Sequence, residues 1–134
     1  MNRVLAFLLG ITLLQGILVH GTFGQSAPDD AKLCQSRDGV VELKPPFKHE
    51  VGNAYTVEVP QLTDLADTMT EGQRSPFLLC ENGKLLPGAH SAHDDIRREG
   101  RGRYSHWQKF IYFSASDQSD PNTNSYRYIL VRKP

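Results

Sequence analysis

A chain of 134 residues with 15 basic and 15 acidic side chains carries no net formal charge. That balance argues against general nucleic-acid binding, which draws on net positive charge. The length fits one small domain with a modest core.

The chain opens on Met1-Asn2-Arg3, a short positive start, and residues 4–19 are almost wholly apolar. Thr22 and Gly24 are small residues at −3 and −1 from a cut before Gln25. This is the layout of a secretory signal peptide, and the apolar run is shorter than the ~20 residues of a spanning helix. The expected organisation is a signal peptide over 1–24, a flexible lead-in over 25–38 and one β-rich domain over 39–134. An uncleaved N-terminal anchor is the alternative. The expected location is secreted or periplasmic, with no membrane association after cleavage.

Cys34 and Cys80 both fall in the exported part. Two cysteines in an oxidising compartment usually pair, so a Cys34–Cys80 bridge is expected. The alternative is a buried Cys80 and a free Cys34.

Residues 40–43 read as a short strand stopped by Pro45-Pro46. In residues 54–59, Tyr55, Val57 and Val59 alternate with Thr56 and Glu58, the pattern of a half-buried strand that Pro60 ends. Leu62, Leu65, Ala66 and Met69 have helical spacing over 62–70, with Thr63 as a cap. Residues 76–81 and 84–86 flank Asn82-Gly83, a strong hairpin signal. Ser91 can cap a short helix over 92–99, with Asp94 in capping-box relation and Gly100 as the stop. Residues 108–114 run apolar on both faces, as in a strand buried on both sides. Residues 126–132 alternate Tyr126, Tyr128, Leu130 against Arg127, Ile129, Val131. Between these two strands lies ASDQSDPNTNS, too long for a tight hairpin and rich in Asx residues. The fold class is mostly β: a small single-domain β-sandwich or open barrel with one or two short helical turns.

Three segments also carry a resemblance: ENGKLLPGAHSAHDDIR (81–97), GRGRYSHW (100–107) and FIYFSASDQSDPNTNSYRY (110–128). The pairing of SHW with SDPxTN resembles a short module of bacterial proteins, some connected with surface-polysaccharide chemistry. The resemblance covers most of the chain after residue 24. It implies a setting with glycans nearby and supplies no catalytic role.

Asp120, Asn122 and Asn124 match positions 1, 3 and 5 of a calcium loop, so Ca²⁺ is the one cofactor the pattern admits. Position 6 is Ser125 and position 12 is Val131, so the second half of an EF-hand is missing. The alternative is an Asx-turn loop whose side chains satisfy their own backbone. His90 and His93 sit i, i+3 beside Asp94 and Asp95, but the segment is not HExxH. Ser105, His106 and Asp117 make a triad only on paper, because adjacent Ser and His in a strand point to opposite faces and no GxSxG elbow exists. Arg97, Arg98, Arg101 and Arg103 form the one basic cluster; it suits an acidic glycan or phosphate, or a solvated face neutralised by Asp94, Asp95 and Glu99.

Trp107, the single tryptophan, stands with Tyr104, His106 and Arg103 just before strand 108–114. Aromatic faces stack on the C–H face of sugars while Asp, Asn and Arg fix hydroxyls. The expected ligand set is therefore Trp107, Tyr104, His106, Arg103, Asp117, Asp120, Asn122 and Asn124, with Trp107 alternatively a core anchor. Together these features describe an exported, non-catalytic domain that binds a glycan or cell-envelope polysaccharide and no nucleic acid. A structural or protein-interaction module is the first alternative. A small metal-dependent hydrolase using His90, His93 and Asp94 is the second.

Overall fold

A computed structural model describes residues 28–36 and 40–134. The proposed signal segment lies outside them, and no helix among the described residues is long and apolar enough to cross a membrane. Among the described residues eight strands form two antiparallel four-stranded sheets: β1 Val41–Leu43, β2 Lys48–His49, β3 Tyr55–Glu58, β4 Phe77–Glu81, β5 Lys84–Leu85, β6 Tyr104–Trp107, β7 Phe110–Phe113 and β8 Tyr128–Arg132. One sheet has the order β1-β8-β4-β5 and the other β2-β3-β7-β6. The result is a β-sandwich without barrel closure.

Alternation along the strands builds the core between the sheets. Val59 is buried there with Tyr55 and Val57 packed beside it, as the pattern of residues 54–59 predicts. From β7 come Ile111 and Phe113, from β8 Tyr128 and Leu130, from β4 Phe77 and Leu79. Phe113 meets Phe47 edge-on at 5.1 Å and Tyr128 at 5.0 Å, within the range where such ring pairs add to plain burial.

Strands β7 and β8 are also covered on their outer faces. Ile129 and Val131 of β8 pack with Cys34 and Cys80 beneath helix α1, Pro28–Gln35. The Cys34–Cys80 disulfide pins that helix to β4. On the opposite side, helix α2, His93–Arg98, lies over the outer face of β6 and β7, with His93 stacked on Tyr112 at 3.9 Å. This explains why residues 108–114 are apolar on both faces.

Several expectations change. Residues 28–35, read as part of a flexible lead-in, are helical because the disulfide and the apolar face of β8 give them something to dock on. Residues 108–114 and 126–132 do not pair with each other: β7 pairs with β3 and β6, whereas β8 pairs with β1 and β4. The Asx-rich loop is a crossover between sheets. Strand β6 closes on β7 through the two-residue turn Gln108-Lys109, with Gln108 at φ 53°. Residues 60–65 form a 3-10 helix in which the Thr63 hydroxyl donates to the Pro60 carbonyl instead of capping. Ser91 likewise donates to the Gly88 carbonyl, and α2 starts from Ala92 without a side-chain cap. The Asn82-Gly83 hairpin stands as read, with φ 47° and 79° at its centre.

Candidate functional site

The pleat of β6 sorts the expected ligand residues. Tyr104 and His106 point between the sheets and are 3% exposed. Tyr104 belongs to the core, and His106 lies edge-on to Phe77 with Nδ1 3.0 Å from the Ser75 hydroxyl. Burial pushes the His106 imidazole below its ordinary value, against the opposing charge of Asp67. Neither residue can touch a ligand. Ser105 and Trp107 take the other face and open outward.

The Asx loop is not beside Trp107. In the β6–β7 register Trp107 pairs with Phe110 and Tyr104 with Phe113, so the loop leaves β7 at the end remote from Trp107. Its polar side chains are engaged within the fold. Asp117 accepts from the Ser119 amide and hydroxyl and from the Tyr126 hydroxyl, which lowers its pKa to about 2. Asp120 accepts from the Asn122 amide in an Asx-turn, Asn122 brackets Phe47, and Asn124 accepts from the Tyr126 amide while donating to Ser119 and Tyr128. The oxygens that would face a calcium ion thus accept N–H and O–H donors. Among the described residues no group of three or more His, Cys, Asp or Glu is placed to hold a metal ion.

The basic cluster is largely neutralised. Arg97 makes a bidentate pair with Glu50, Arg98 pairs with Asp94 at 3.0 Å, and Arg103 pairs with Glu99. Arg103, paired with Glu99, borders a hollow with Arg98 and Gln118 and not the ones that Trp107 lines. Asp94 is turned to Arg98 and His90 to Asp67; His90, His93 and Asp94 all border one cleft, but among the described residues they do not form a group placed to hold a metal ion.

What the fold does assemble is an open cleft of about 520 Å³ on the outer face of β6. Its walls include Met69, His93 and Trp107, and Asp67, His90 and Ser105 form its polar side. Met69 is 89% exposed at the rim, an unusual place for a large apolar side chain. His93 stands edge-on to Trp107 at 6.1 Å. Its own pKa is lowered, first by burial and then by Arg97, with Glu50 opposing. At neutral pH the wall is consequently an uncharged aromatic surface. Trp107 and Met69 also border a second hollow of about 260 Å³ that runs on past Thr68 and Gln108. A larger hollow of about 850 Å³ lies where the end of α1 meets the β4–β5 turn. None of the described residues lining that one is aromatic, and it adjoins residues 37–39, which are outside the described set.

The polar side of the Trp107 cleft is built on β6 itself. The Asp67 amide donates to the His106 carbonyl at 2.9 Å, and the Ser91 amide donates to the Tyr104 carbonyl at 3.0 Å. The two segments are thereby fastened to β6 on either side of Ser105. Asp67 is 6% exposed and fully engaged: Oδ1 accepts from the Ser75 amide at 2.8 Å, and Oδ2 lies 2.8 Å from His90 Nδ1. His90 Nε2 and Ser105 Oγ are buried and have no hydrogen-bond partner within the described protein. Asp67 had no signal in the sequence; Met69 entered only as an apolar position of the expected helix and Ser105 only through the SHW motif and the discounted triad, while His90 and His93 stood out as metal candidates. No family model matches the chain, and no curated protein or solved structure is significantly similar to it.

Proposed function

We propose that the protein is an exported carbohydrate-binding domain whose ligand lies in the cleft beside Trp107. The observation that carries this is the cleft's make-up: an aromatic wall of Trp107 and His93 facing unpaired polar groups of His90 and Ser105. A sugar ring presents an apolar C–H face and an equatorial ring of hydroxyls, and needs both kinds of surface. The volume falls within the range of small-molecule sites. Lowered basicity of His93 and pairing of the arginines favour a neutral glycan over an acidic one. The formed disulfide and the apolar N-terminal run both support export to an oxidising compartment, where a cell-envelope polysaccharide would be the partner.

The chain has one tryptophan, so fluorescence excited selectively at tryptophan reports on Trp107 and the two hollows it borders. Titration with cellotetraose, chitotetraose, mannotetraose and, as an acidic comparator, polygalacturonate should give a saturable change with at least one neutral member. Trp107→Ala should remove binding of that member, measured by calorimetry, while circular dichroism stays native. No response to any neutral glycan, or unchanged binding by Trp107→Ala, refutes the reading.

A further inference from the structure

We infer that the cleft recognises one ligand hydroxyl through a paired acceptor and donor, His90 Nε2 and Ser105 Oγ, and that Asp67 is the positioning residue that makes Nε2 an acceptor. The inference rests on the carbohydrate reading of the same cleft.

Buried polar groups in native proteins are nearly always hydrogen-bonded, so two partnerless ones in one cleft call for an explanation. Ser105 is 5% exposed and lies on β6 facing the cleft. His90 belongs to the segment fastened to the same strand: Tyr104 donates to the Gly88 carbonyl, Ser91 donates to that of Tyr104, and the Ser91 hydroxyl returns to Gly88. Within this clamp His90 adopts φ 56°, a left-handed conformation uncommon for residues other than glycine. Such strain persists only where the surroundings over-determine it. Its consequence is that the ring meets Asp67 through Nδ1.

The carboxylate settles the polarity of the other nitrogen. Asp67 can only accept, so His90 Nδ1 carries the proton, and in the neutral ring Nε2 is a bare acceptor. Ser105 can donate or accept. A ligand hydroxyl satisfies both at once, giving its proton to Nε2 and accepting from Oγ. A carboxylate has no proton to give and would sit near the buried charge of Asp67. An ammonium cannot accept from Ser105. The pair therefore selects a neutral alcohol, oriented by the apolar wall of Trp107.

Asp67→Asn offers a near-isosteric test. The carboxamide oxygen of that variant can still accept from the Ser75 amide, but its NH₂ group would donate to His90 Nδ1 and move the ring proton to Nε2, turning the acceptor into a donor. In the full-length protein labelled with ¹⁵N-histidine, the unliganded wild type should show His90 protonated at Nδ1, and Asp67→Asn should show it at Nε2. Affinity for the neutral tetrasaccharide bound in the fluorescence panel should fall about 100-fold or more in Asp67→Asn, because a site built to pair a hydroxyl penalises a mismatched partner heavily. His90→Asn tolerates the left-handed backbone, keeps a donor toward Asp67 and lacks Nε2, so it serves if Asp67→Asn does not fold; it and Ser105→Ala should each lose at least tenfold. A wild-type ring protonated at Nε2 overturns the inference whatever the ligand. So does wild-type affinity in His90→Asn and Ser105→Ala when Trp107→Ala has abolished binding; that result leaves the carbohydrate reading intact. Undiminished binding by Trp107→Ala, or no binder in the panel, defeats the carbohydrate reading itself and this inference with it.

Discussion

The side chain of Asn122 holds both backbone groups of Phe47: Oδ1 accepts from the Phe47 amide at 2.7 Å, and Nδ2 donates to its carbonyl at 2.9 Å. The two residues are 75 apart in sequence. One amide thus acts as a one-residue strand partner, tying the crossover loop to the connection between β1 and β2. Phe47 itself is 4% exposed and packs on Phe113 and Tyr128, so its backbone has little access to water as a substitute. Asn122→Ala should lower stability by about 1–3 kcal/mol, the cost of leaving such groups unpaired. Urea unfolding followed by circular dichroism measures this. Because the loop leaves β7 away from Trp107, ligand affinity in the cleft should not change; a selective loss of affinity with native stability would return Asn122 to the ligand site.

The disulfide has a separable role. Cys34 and Cys80 are 46 residues apart, and their sulfurs lie under the outer face of β8 beside Ile129 and Val131. The chain-entropy model gives about 4 kcal/mol for closing a loop of this length. Cys34→Ser should approach that loss and also free α1 from β5 and β8, which it contacts. Hydrogen exchange should show amides of residues 28–36 unprotected in the variant, with those of β3 and β7 still protected at native levels in the absence of denaturant. Retained protection in the helix would mean that packing, and not the bridge, holds it.

Where a segment's burial is decided by its own alternation, the sequence was legible. Val59 went to the core with Tyr55 and Val57 packed against it, and Asn82-Gly83 turned a hairpin. Strand β6 was opaque for a physical reason. Tyr-Ser-His-Trp has two polar residues in four and reads as a site, yet His106 is buried by Phe77 from the other sheet and Ser105 by segments from 67 and 90–94. The Asx loop showed its composition but not its partners, since Phe47 and Tyr128 lie outside it. Its alternative as a self-satisfying loop matches the bonds seen in Asp117, Asp120 and Asn124. The Asp67–His90 pair depends on two separate segments both docking on β6, a relation that no local pattern encodes.

His106 makes stability depend on pH in a definite direction. Its ring is enclosed between the sheets, next to Phe77 and the Ser75 hydroxyl, and burial holds its pKa below the ordinary 6.5. Above that pH the imidazole is neutral in both native and unfolded chains, and its full contribution to stability is present. As pH falls from 6.5 toward the native value, the unfolded chain takes up a proton that the native protein refuses. Unfolding is then coupled to proton uptake, so stability declines, by at most about 1.4 kcal/mol per pH unit for one such group. His93 is shifted in the same direction and acts in the same window, more weakly because its ring borders the open cleft. The carboxylates with lowered values, Glu50 and Asp117, act only below their ordinary 4.5 and 3.8 and do not interfere. Urea midpoints measured from pH 8 to pH 5 should therefore fall below about pH 6.5 in the wild type. His106→Gln, which cannot titrate, should start from a lower stability at pH 8 and show a visibly shallower decline. A flat wild-type profile, or an unchanged slope in His106→Gln, would mean that the buried ring is protonated in the native protein, with Asp67 outweighing its burial.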